Sequence, residues 1–214
     1  MKKKIFAVLL LFTAVSLVFN VSGCESCDCG ARDEKPIIYL YPEREQNVKV
    51  ELLNIENLTH TYPKYENGWE VTAFPNGDLI DLKTGRSLYA LYWEGIVTNG
   101  LNMREGFVIE GKDTIAFLEE KLAVLGLTER EANEFIIYWL PRLEGNKYNY
   151  IRFQTIDEIN DNMLLRITPV PDTLIRVMME FKKLDKPITV EAQSLKTPAR
   201  TGFTVVEWGG TEII

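Results

Sequence analysis

The chain is short of the residues that most catalytic centres are built from. It has one histidine, His60, and three cysteines, all before residue 30. A closed zinc site takes about four Cys or His ligands, so no metal is expected. Any Ser-His-Asp or Cys-His arrangement would have to use His60, which lies in Asn57-Leu58-Thr59-His60-Thr61, far from a nucleophile-elbow signature. His60 therefore reads as a solvated strand or loop residue. There is no Gly-x-x-x-x-Gly-Lys loop completed by Ser or Thr, no His-Glu-x-x-His, and no Gly-x-Gly-x-x-Gly after a strand, which argues against nucleotide and zinc enzymes and leaves no cofactor implied.

Positive charge is scarce as well. The chain has 24 basic and 31 acidic residues, a net −7; residues 1–23 hold three lysines and no acid, so the remainder has 21 basic against 31 acidic, or −10. Basic residues are scattered among acids. That argues against a nucleic-acid partner and leaves no polybasic patch for an anionic lipid surface.

One long apolar run is present. Lys2, Lys3 and Lys4 precede Ile5 to Phe19, the order of a secretory signal. Fifteen residues at helical rise cover about 22 Å, short of the roughly 30 Å hydrocarbon core, so removal is favoured over a permanent span. The run ends in Val21-Ser22-Gly23-Cys24, which resembles the bacterial lipobox. The resemblance implies a diacylglycerol on the Cys24 sulfur and cleavage before it. Two acyl chains anchor stably where one is marginal. The expected location is outside the cytoplasm, on a cell membrane or an outer membrane, with the lipid as the contact to the bilayer.

The expected organisation is a signal peptide over 1–23, a lipidated flexible tether over 24–35 and a single domain over 36–214. The tether, Glu25 to Lys35, is too polar to bury a core. Cys27 and Cys29 lie within it, free or cross-linked, without a catalytic part.

In the domain, Val48, Val50 and Leu52, and again Trp69, Val71 and Ala73, alternate with polar neighbours as strands do. Asn76-Gly77 marks a hairpin; Thr84-Gly85 and Asn99-Gly100 mark further turns. The period then changes. Ile115, Leu118, Leu122 and Leu125 share a helical face between Asp113 as cap and Gly126 as terminator. Thr128-Glu129-Arg130-Glu131 fits a capping box for a second helix, expected to end at Pro141. Strands resume at 148–154, 164–168, 173–181, 188–192 and 202–208. Strands, two helices, then strands argue an α+β fold: a largely antiparallel sheet with a central two-helix hairpin, or a β-sandwich carrying that hairpin.

Two chemistries suit what remains. Glu94 follows Tyr92-Trp93, and Glu207 precedes Trp208-Gly209-Gly210, so each acid has an indole beside it in sequence. An aromatic wall can raise a carboxyl pKa for general-acid use, and such a pair would suit glycoside hydrolysis. The aromatic clusters instead favour non-catalytic binding of a glycan, a peptide or an envelope protein, with Tyr39, Tyr41, Trp93 and Trp208 as candidates. A structural envelope role through strand edges is the third reading. Asn57-Leu58-Thr59 matches a glycosylation triplet and is read as chance.

Four strings, Lys35-Pro36-Ile37-Ile38-Tyr39-Leu40-Tyr41-Pro42, Tyr92-Trp93-Glu94-Gly95, Tyr138-Trp139-Leu140-Pro141 and Gly202-Phe203-Thr204-Val205-Val206-Glu207-Trp208-Gly209-Gly210, resemble a family of uncharacterised bacterial exported proteins. The likeness spans residues 35–210 and implies one domain without implying an activity.

Overall fold

The computed structural model describes residues 31–97 and 103–213. The expected signal segment, Cys24, Cys27, Cys29 and the expected turn at Asn99-Gly100 lie outside the described residues.

The alternating segments form two sheets. The larger holds β1 (Arg32–Tyr41), β3 (Leu58–Tyr62), β7 (Leu91–Ile96), β8 (Glu105–Glu110), β9 (Tyr148–Phe153), β11 (Thr173–Leu184), β12 (Glu191–Ala192) and β13 (Thr204–Glu212), in the order β12-β8-β9-β11-β13-β1-β7-β3. The smaller holds β2 (Gln46–Leu52), β4 (Trp69–Ala73), β5 (Leu79–Asp81), β6 (Ser87–Leu88) and β10 (Leu165–Thr168), in the order β10-β2-β4-β5-β6. Pairing is antiparallel except for β11 with β13 and β12 with β8. This is the expected α+β class with a mostly antiparallel, sandwich-like sheet arrangement.

Both faces of the large sheet are covered, so both sets of alternating side chains are buried. Helices α1 (Thr114–Val124) and α2 (Glu129–Leu143) cover one face, where Ile37, Tyr39, Val177, Val206 and Trp208 meet Leu118, Phe135 and Trp139. The small sheet covers the other, where Ile38, Leu40, Val205 and Trp93 meet Val48, Val50, Trp69 and Val71. That double cover explains why strands such as β1 and β13 read as nearly continuous apolar runs.

The hairpin of helices is built as its sequence predicts at two of its four ends, the end of α1 and the start of α2. Gly126 adopts φ +87, with its N–H on the Ala123 carbonyl and the Leu127 N–H on that of Leu122, a Schellman closure of α1. At Thr128 the capping box forms in full: its hydroxyl accepts from the Glu131 N–H, and the Glu131 carboxylate accepts from the Thr128 N–H. Thr128→Ala is therefore expected to lower stability by about 1 kcal/mol, read as a lower urea midpoint with an unchanged slope.

Several boundaries differ from expectation. Asp113 makes no side-chain cap, because a 3-10 turn over Gly111–Asp113 runs straight into α1. Pro141 does not end α2, which continues to Leu143. Proline removes only its own N–H, whose partner would be the carbonyl of Ile137, and Ile137 stands on the solvent side at 73% exposure. The 188–192 strand shrinks to Glu191–Ala192. A third helix, α3 (Ile156–Asn162), was not expected, although Thr155 and Glu158 form its complete capping box. Residues 32–35, expected to lie in a tether, belong to the large sheet. Strand β1 begins at Arg32, pairs with both β13 and β7, and buries Asp33, while a register shift between residue 34 and residue 37 accommodates Glu34 and Lys35.

Candidate functional site

Tyr39 and Tyr41 alternate on β1 and so point the same way, with ring planes 7° apart and centroids 6.2 Å apart. Beyond them the large sheet ends, and three segments close around the gap. The β4–β5 hairpin supplies Asn76 and Asp78, the residue before Ala90 supplies Tyr89, and the start of α2 supplies Arg130. Arg200 and Thr204 complete an open cleft of about 450 Å³. Gly77 holds φ +89 against the Tyr41 ring, where a Cβ would come within 2.7 Å of it, so the hairpin can seat there only with glycine.

The floor is firmly held. Tyr39 is 3% exposed and donates its hydroxyl to Glu134 at 2.7 Å; burial first, then the Glu134 carboxylate, pushes its ionisation far above the ordinary phenol range. Burial and Glu131 push Tyr41 the same way. The Arg200 guanidinium lies 5.0 Å over the Tyr41 ring and grips the buried Glu131 with both terminal nitrogens, at 3.0 and 2.9 Å. Burial would raise Glu131, but Arg200 and the Thr128 N–H outweigh it and hold the carboxyl below its usual range. Tyr89, at 49% exposure, and Arg130, whose nearest carboxylate is Glu134 at 3.8 Å, are the accessible groups.

The remaining sequence candidates lie elsewhere. Trp93 and Trp208 are 1% and 0% exposed and belong to opposite cores, Trp208 packing edge-on against Phe135 at 5.3 Å. Both are corrected from binding to packing residues, since each ring points from the large sheet into a covered face. Glu94 and Glu207 do not share a cleft. Glu207 accepts from Trp93 Nε1 at 2.8 Å on the face toward the small sheet, while Glu94, next to Trp93 on β7, faces the helix side with Tyr92 and lies 3.4 Å from His60. Carboxylates on opposite faces of a sheet cannot flank one glycosidic bond, so this pair does not meet the hydrolase geometry. Gly106 to Lys112 has phosphate-loop spacing, but Asp113 stands where Ser or Thr is needed and Glu105–Glu110 is strand β8.

Glu207 belongs to a buried polar cluster that no local pattern announces. Arg176 Nε donates to Glu207 at 2.5 Å, and its Nη1 reaches Asn160 and the Met163 carbonyl. Arg152 joins Glu180 to Glu158 of α3. Asp33 accepts from Thr211 at 2.6 Å. Three carboxylates, Glu207, Glu180 and Glu158, thus meet two guanidiniums, with Asp33 buried close enough to feel the charge of Glu207 and Arg176. Among the described residues no group of three or more His, Cys, Asp or Glu is placed to hold a metal ion.

Of the cleft, Tyr39 and Tyr41 were identified from sequence and Asn76-Gly77 as a turn. Arg130 and Arg200 were missed, and no local signal distinguishes them from solvated arginines.

No family model and no solved structure matches the chain. A Butyrivibrio fibrisolvens protein named "Uncharacterized protein in bglA 3'region" is 32% identical over 99 residues, which cover 44% of this chain and 99% of that protein. The chain belongs to the family of that protein. That name assigns the relative no activity, so the functional reading rests on the cleft.

Proposed function

We propose that the protein is a lipid-tethered, extracytoplasmic binding domain, with the tyrosine cleft as its binding site. The observation that carries this reading is the convergence of Tyr39, Tyr41 and Tyr89 with Arg130, Asn76 and Asp78 in one open cleft, while every tryptophan proposed for binding is withdrawn into a core. Aromatic faces beside a few fixed polar groups are what small-ligand sites generally combine.

The placement of the cleft suits a tethered protein. β1 leads from Arg32, where the N-terminal segment joins the sheet, to Tyr41 at the cleft, ten residues or about 30 Å. A chain anchored through Cys24 would present the cleft at the end away from the bilayer. No helix among the described residues is long and apolar enough to cross a membrane, and in this reading attachment falls to the acyl chains.

Mass spectrometry of the native protein should find Cys24 as the first residue, carrying a diacylglyceryl group. Cys24→Ala should move the protein from the membrane fraction to the soluble one. A native protein that keeps residues 1–23, or a Cys24→Ala protein that stays with the membrane, overturns the tether.

A further inference from the structure

The lining of the tyrosine cleft narrows the chemistry of what can enter it, on the reading that this cleft is the binding site. Its charges are nearly cancelled within the protein. Arg200 is committed to Glu131 with both terminal nitrogens, and Arg130 stands beside Glu134. Among the described residues Asp78 is met by the Asn76 side-chain amide, at 2.7 Å, and by no cation, so the cleft has no surplus of positive charge. A phosphate or polycarboxylate ligand would meet no free guanidinium pair and one uncompensated carboxylate.

A peptide has two usual ways to bind, and neither is offered. Strand addition needs a free backbone edge, but β1 is paired on both sides, with β13 and β7. Anchoring by side chains needs an apolar hole, but the cleft lining contains Pro75 and no aliphatic side chain larger than it.

What the cleft does offer is a half-exposed phenol ring at Tyr89, flanked by amide, carboxylate, hydroxyl and guanidinium groups that both donate and accept. A sugar presents the complement: an apolar C–H face for the ring and vicinal hydroxyls that donate and accept at once. We propose that the cleft binds a neutral saccharide, with its ring face on Tyr89 and its hydroxyls read by Asn76, Asp78 and Arg130. The stacked Tyr39 and Tyr41 form the floor beneath these groups, and Tyr39 meets the Tyr89 ring at 6.4 Å between centroids.

The test uses the mature protein in detergent, titrated calorimetrically with neutral oligosaccharides of glucose, mannose, galactose or xylose, with a uronic-acid oligomer, and with a random-sequence peptide pool. Saturable binding of a neutral oligosaccharide is expected, weakened at least about tenfold by Tyr89→Ala and by Asn76→Ala, with the urea midpoint of each variant unchanged. Tyr89-dependent binding of the peptide pool or of the uronic-acid oligomer alone overturns the neutral saccharide and leaves the cleft as the site. Binding that both variants leave intact, or no binding of any of these probes, overturns the cleft itself.

Discussion

Arg176→Ala is expected to lower the stability of the domain by about 3–5 kcal/mol, the range for removing one partner of a buried ion pair. Both Arg176 and Glu207 have fully buried side chains, and they meet at 2.5 Å. Removing the guanidinium leaves a carboxylate in the interior with, among the described residues, Trp93 Nε1 as its remaining donor, and it also releases Asn160 and the Met163 carbonyl at the end of α3. In urea the midpoint should fall by about 2 M if the slope is near 2 kcal/mol per M. The double variant Arg176→Met with Glu207→Gln separates charge from packing. It keeps an acceptor for Trp93 and leaves no buried charge unpaired, so it should cost less than the sum of the single changes Arg176→Met and Glu207→Gln. An Arg176→Ala protein with an unchanged midpoint would show that the pair is not buried in solution.

The same pair shows where the sequence stops being informative. On a strand, neighbours in sequence point to opposite faces. Trp93 therefore cannot wall Glu94, nor Trp208 wall Glu207, although each pair is adjacent in the chain. The indole that does meet Glu207 is Trp93, 114 residues away, brought there by the order β13-β1-β7. Nothing local encodes that order, because β1 finds its partners in strands that begin about 60 and 170 residues later. The features that were legible are those whose energy is local: the Thr128 capping box, the positive φ of Gly77 and Gly126, the alternation of Val48, Val50 and Leu52. Helix α3 was locally signed by Thr155 and Glu158 too, but at seven residues it is too short to display a helical period.

The cleft follows the same division. Tyr39 and Tyr41 were singled out because aromatic residues cluster on β1, and their shared direction follows from their spacing of two. Arg200 was invisible because its significance lies in Glu131, the buried N3 residue of α2. A glutamate that caps a helix and also receives a bidentate arginine ties the 198–204 segment to the start of α2, and that tie shapes one wall of the cleft. Local capping chemistry and the binding surface are thus one structure, which is why Thr128→Ala is expected to loosen the cleft as well as the helix.

Asp33 gives the second large effect, and its direction is the opposite of the usual carboxylate. Burial first, and then the negative charge of Glu207, push its pKa up from 3.8 to about 7, with the Thr211 hydroxyl and Arg176 opposing. Glu180 is raised as well, also chiefly by burial. Between pH 3.8 and 7 the folded state therefore holds a proton on Asp33 that the unfolded chain has lost. Stability from this group is complete below about pH 4, declines as pH rises toward 7, and stays at its lower level above that. A shift of about three units corresponds to about 4 kcal/mol at the alkaline plateau. Asp33→Asn keeps an acceptor for Thr211 and cannot ionise, so the variant should be more stable than the parent at pH 8 by up to about that amount and roughly equal to it at pH 4. Glu180 titrates in both proteins and largely cancels in the difference. Urea unfolding of the two proteins at intervals from pH 4 to 8 measures it directly. Parallel curves across that range would mean that Asp33 is ionised in the folded domain, with the two guanidiniums balancing more of the cluster's charge than their positions beside Glu207 and Glu180 imply.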